Sequence, residues 1–198
     1  MPAYILDQVL SLGKTAYGMA KSGIAVKWHR DMARGLASQV ATTPNKMMNR
    51  DDQRLVSSLA PGNMYLFSYD PKLKKELPFY DRFPAIIAFK GLPDGFLGLN
   101  LHYIPLLYRA KLLDALLDTL NNGKLTRETK FRISYKMLDG ATKFKYFRPC
   151  LKRYLYSHVR SKFLEVHPKQ WDIAAFLPLA RFEKESIEAV YRDSMSKV

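Results

Sequence analysis

The clearest chemical signal in the chain is a run of cations, Lys143, Lys145, Arg148, Lys152, Arg153, Arg160 and Lys162. All lie between Gly140 and Leu164, with no acidic residue among them. Phe144, Tyr146, Phe147, Tyr154, Tyr156 and Phe163 are interleaved with them. Ammonium and guanidinium groups bind phosphates or carboxylates, and aromatic faces stack on planar rings. The run therefore reads as an anion- or partner-binding face, whose anion is a phosphate backbone or an acidic protein surface. A plainer reading buries the aromatics in a core and leaves the cations as a solvated rim.

Other candidate chemistry is thin. His29, His102, His158 and His167 are scattered, and none has a partner at the spacing of a metal site. His102 reads as a strand residue whose ring is hydrogen-bonded. Asp70, Asp81 and Asp94 lie near prolines, where a carboxylate bonding to its own turn accounts for them. Cys150, the only cysteine, sits among cations that could lower its pKa, but burial as an apolar side chain is the stronger reading. No phosphate-binding glycine loop, zinc spacing or nucleophile elbow occurs. The expectation is a chain with no catalytic residues, no metal and no cofactor, and hence not an enzyme.

A formal charge of +14 on 198 residues calls for an acidic partner. Apolar content of 47% is ordinary for a globular chain. Apolar runs fall far short of the ~20 residues of a membrane span, so no membrane association is expected. The N-terminus lacks the pattern of a signal peptide. A single cysteine permits no internal disulfide, which fits a reducing compartment.

These groups must be positioned by a sheet. Met64–Tyr69, Ala85–Lys90 and Phe96–Ile104 are rich in β-formers, and a Pro-Asp-Gly turn separates the last two. Pro71, Pro78 and Pro84 mark loops or strand starts. The pattern predicts α+β: a small curled antiparallel sheet of SH3-like kind, packed with helices, plus an N-terminal arm. Residues 1–49 form that arm, basic and broken by Gly13, Gly18, Gly23 and Gly35; residues 50–198 form a single α+β domain.

Asp51–Leu59 reads as a short helix. A leucine stripe from Leu106 to Leu120 predicts a helix opened by Pro105, with Arg109, Lys111, Asp114 and Asp118 on its outer side. Phe131–Leu138 alternates as a strand does. Phe147–Arg160 reads as a helix with Pro149 in its first turn. Phe163–Val166 and Asp172–Pro178 read as strands, and Arg181–Ser194 as a surface helix. A helix opening at Pro149 would place Lys145, Arg148, Lys152 and Arg153 near its positive N-terminal end, where a bound anion would relieve them.

Three motifs carry a resemblance. They are Gly62, Met64, Tyr65, Phe67 and Tyr69–Lys72; Leu77, Pro78, Tyr80, Asp81, Phe83 and Pro84; and Gly95, Phe96, Gly98, Asn100–Tyr103 and Pro105. Lys143–Leu155 and Trp171–Pro178 continue it, to about Ser194. This pattern resembles a family of virion proteins of T-even-like, contractile-tailed bacteriophages, in the neck, tail or baseplate. The resemblance implies a structural part of the virion, made in the host cytoplasm. It would be present in multiple copies in a symmetric assembly and act through interfaces with other virion proteins. The alternative is a DNA-binding or DNA-end-handling protein that uses the basic face 143–162.

Overall fold

The computed structural model describes residues 54–106 and 147–197, Met48, and scattered positions between the two blocks. Two strands open the first block, β1 (Leu55–Val56) and β2 (Met64–Leu66), followed by β3 (Tyr80–Asp81), β4 (Ala85–Leu92) and β5 (Gly95–Asn100). The second block holds β6 (Leu151–Leu155), β7 (Phe163–Val166) and β8 (Phe182–Glu183), with α-helices at Trp171–Ala174 and Ile187–Ser196. Six strands form one antiparallel sheet in the order β1-β7-β2-β4-β5-β6, and β3 pairs with β8. The fold is mixed α+β. Among the described residues no helix is long and apolar enough to cross a membrane.

The β4–β5 hairpin sets the register. Leu92 opposes Gly95, so Pro93 and Asp94 form the two-residue turn. At Gly95 a side chain is excluded: a Cβ would stand 2.0 Å from the Tyr154 carbonyl oxygen of the neighbouring β6. Gly62, at φ 87°, takes the left-handed turn before β2 that a side chain resists. A bulge at Phe89 bends β4.

Alternation along the strands divides the apolar residues between two faces. Met64, Leu66, Ile87, Leu99, Leu164 and Val166 face one core, completed by Leu112, Leu113, Leu116, Trp171 and Val190 from the helices. Tyr65, Phe67, Ile86, Phe96, Tyr154 and Phe163 face a smaller aromatic core. Phe67 lies at its centre, edge-on to Tyr154 and Phe163 at 5.3 and 5.2 Å, the arrangement ring quadrupoles favour. The chain closes around this core. Beyond β2, Asp70 N–H donates to His158 O, Arg160 N–H donates to Ser68 O, and Tyr69 bridges to Val159.

Several expectations are corrected. Leu151–Leu155 is a strand, not part of a Phe147–Arg160 helix; flanking it, Arg148–Cys150 and Tyr156–His158 are single 3-10 turns. The open edge of β5 takes up its backbone groups, and Tyr154 fills the aromatic core. Residues Trp171–Ala174 form a helical turn, in place of the start of the strand expected over Asp172–Pro178. A short buried apolar run has no period that separates the two. Tyr135 and Lys136, within the expected strand Phe131–Leu138, are helical, and Tyr135 stacks on Phe89 at 5.4 Å. The Asp51–Leu59 helix is replaced by β1.

The last helix starts at Ile187, where the Ser186 hydroxyl accepts the Ala189 N–H, and β8 precedes it. The third strand run ends at Asn100, and Leu101–Tyr103 is a 3-10 turn. Leu106, Leu112, Leu113 and Leu116 are helical as expected, while Leu117 lies outside the described residues. Arg109 is buried rather than outward, donating to the Ile104 and Ala175 carbonyls and the Tyr191 hydroxyl. The N-terminal arm lies outside the described residues, apart from Met48, which packs on the larger core.

Candidate nucleic-acid interface

Lys143 and Lys145 lie outside the described residues. The other five cations of the basic run do not share one face. Arg148 opens the 3-10 turn and is exposed. That turn has three residues, too few for the dipole expected of a longer helix. Lys152 and Arg153 follow each other in β6, so the pleat sends them to opposite sides.

Lys152 is half-buried, with its ammonium 4.1 Å from the centre of the Tyr103 ring, a cation–π contact. Burial pushes its pKa down. Arg153 donates to both carboxylate oxygens of Asp94, at 2.8 and 2.7 Å, and holds that carboxyl below its ordinary pKa. Both cations already have partners. Cys150 is buried in the larger core, its thiol pushed up by burial to about 11, so it is not an activated thiol.

Arg160 and Lys162 differ. Both are exposed in the link between β6 and β7. Arg160 reaches Asp70 only at 3.8 Å, and Asp70 is already bonded to Lys74 at 3.0 Å. Lys162 makes no ion pair among the described residues. The His158 ring nitrogen Nδ1 bonds to the Asp70 carbonyl at 2.8 Å and locks this link to the loop after Asp70. That loop carries Lys72, Lys74 and Lys75, all exposed. The Lys184 ammonium donates to the Lys75 and Leu77 carbonyls and fixes its far end.

The surface cations brought together are thus Arg160 and Lys74, which share Asp70, while Lys162, Lys72 and Lys75 are exposed on the same two segments. The sequence reading missed the lysines. Their signal was three lysines in the four residues Lys72–Lys75, in a loop tied to the link by a contact between residues 88 positions apart, Asp70 and His158.

A buried polar cluster braces the other side. Asp81 Oδ2 lies 2.6 Å from His102 Nδ1, and Asp81 Oδ1 accepts the Phe83 and Arg181 N–H groups. Asn100 donates to Asp81 and to the Tyr154 hydroxyl. Burial alone would raise the Asp81 pKa, but the charge and hydrogen bond of His102 outweigh it and hold the carboxyl below its ordinary value. His102 stands in a 3-10 turn rather than a strand, and its ring is hydrogen-bonded as expected. The turn reading of Asp81 captured its bond to Phe83 but not the contact with His102. Among the described residues no cluster of His, Cys, Asp and Glu is placed to hold a metal.

These features define a basic α+β protein with exposed cations on two loops of an antiparallel sheet. A family model described as the Phage T4 terminal DNA protecting protein matches residues 44–194, and the chain belongs to that family. Comparison with curated proteins and with solved structures gave no match. The phage assignment of the sequence resemblance stands, and its expected end near Ser194 coincides with that of the match. The expected role as a structural neck, tail or baseplate component is overturned, because the family is described by DNA protection. The reading kept beside it, DNA-end handling, is the one that agrees.

Proposed function

We propose that this chain binds the ends of phage DNA and shields them by occupancy, without catalysing a reaction. The family match over residues 44–194 carries the reading. The charge of +14 supports it, since the phosphate backbone supplies the acidic partner such a surface calls for. Exposed Arg160, Lys162, Lys72 and Lys75 are suited to phosphate contacts, because among the described residues their ion pairing is limited to the long Arg160–Asp70 contact. Protection by occupancy needs no metal or cofactor.

The chain then travels with packaged DNA in the virion, beside other virion proteins. The N-terminal arm and an SH3-like closure of the sheet around Phe67 belong to the same reading. A nuclease that requires a free end tests it. Linear duplex preincubated with the protein should resist digestion, and protection should fall steeply as salt rises. Digestion at the unprotected rate, under conditions where the protein is bound, contradicts the reading.

A further inference from the structure

An open cleft of about 540 Å³ lies beside the exposed link that carries Arg160 and Lys162. That size falls in the roughly 300–1,000 Å³ range of clefts that hold small organic groups. Ser57, Ser58 and Leu59 line one part of it, and Tyr156, Val159 and Phe163 another. The apolar floor is continuous with the aromatic core, and the two serines are exposed.

Tyr156 is the unusual member. It keeps 46% of its surface exposed, one of two large apolar side chains to do so among the described residues. Its ring is backed by Phe96 at 5.4 Å. The backbone beneath is fixed, since Tyr156 N–H donates to Asp94 O and Val159 N–H returns to Tyr156 O. Ser161 holds the same wall, accepting the Ser68 N–H and donating to Lys162 O. Arg160 and Lys162 alternate with the lining positions Val159, Ser161 and Phe163, so they stand on the rim of the link and not in the cleft.

A half-exposed aromatic on a fixed backbone, exposed hydroxyls and cations on the adjoining rim fit a planar base whose strand carries phosphates. Inside a duplex each base is stacked on both faces, and taking one out costs a few kcal/mol. The last base of a strand has one face open already. We propose that this cleft seats the terminal nucleotide of a DNA strand, its base against Tyr156, with the strand's phosphates leaving over the rim that carries Arg160 and Lys162. The proposal rests on the DNA-end reading and adds where and how the end is held.

The test compares a blunt-ended linear duplex with a covalently closed circle of the same sequence, using the full chain. Tyr156→Ala should weaken binding to the linear duplex on the order of tenfold and leave the circle unchanged, while Tyr156→Phe binds as the parent does. Ser58→Trp, which fills the cleft from its opposite side, should act like Tyr156→Ala; thermal melting verifies that each variant is folded. 2-Aminopurine at the terminal position should change its fluorescence on binding, and at an internal position it should not. If the parent prefers ends but Tyr156→Ala and Ser58→Trp bind them equally well, the cleft is not the seat and the DNA-end reading stands. If the parent does not prefer the linear duplex, that reading fails and this one with it.

Discussion

Lys152 and Arg153 lie in a strand, whereas Arg160 and Lys162 lie in the link that follows it, and the two pairs are put to different uses. The strand pair is spent inside the molecule. One ammonium sits on the Tyr103 ring and one guanidinium is bonded at 2.7–2.8 Å to Asp94. The link pair faces solvent, and among the described residues its one contact with an acid is stretched to 3.8 Å. Identical residue types at neighbouring positions therefore differ in what they offer a partner. A charge is available for binding only when the fold has not already neutralised or desolvated it.

The strand region should respond to substitution in stability, and the link region in binding. The largest loss of stability should come from the cluster behind the strand. Asp81→Ala would strand the His102 ring and the Phe83 and Arg181 N–H groups, and should destabilise the protein by about 3–5 kcal/mol in chemical unfolding. Its acid limb should change as well. A depressed folded pKa contributes stability above the unfolded carboxylate value of about 3.9, lost as pH falls through the lower folded value. The variant should lack that portion of the pH dependence.

Lys152→Ala removes the stem that covers Tyr103 and the cation–π contact. It should cost about 1–2 kcal/mol with DNA affinity unchanged. Arg153→Ala breaks an exposed pair and should cost at most about 1 kcal/mol, again without loss of binding. A large fall in DNA affinity for either variant would erase the distinction between strand and link.

Local patterns made part of this legible in the sequence. The Pro-Asp-Gly turn fixed the β4–β5 hairpin, and the leucine stripe marked the helical positions from Leu106 to Leu116. The basic run was visible as a charge feature, but its division was not. Tyr103 and Asp94 decide the fate of Lys152 and Arg153, and both come from elsewhere in the chain. Tyr154 and Leu151 could sit on a helix as well as on a strand, and only the open edge of β5 selects the strand. The loop after Asp70 gains its place beside Arg160 through backbone bonds from Asp70 N–H to His158 O and from Arg160 N–H to Ser68 O. The Asp81–His102 pair likewise joins separate motifs.

The salt dependence of binding to a linear duplex tests the central claim most directly. The double variant Arg160→Glu/Lys162→Glu, measured beside Lys152→Ala/Arg153→Ala, separates the link from the strand. Each lost phosphate contact should lower the log–log salt slope by about 1. The account predicts a slope lower by about 2 for the link variant with thermal stability preserved, and an unchanged slope for the strand variant. An unchanged slope for the link variant, or a reduced one for the strand variant, would contradict it.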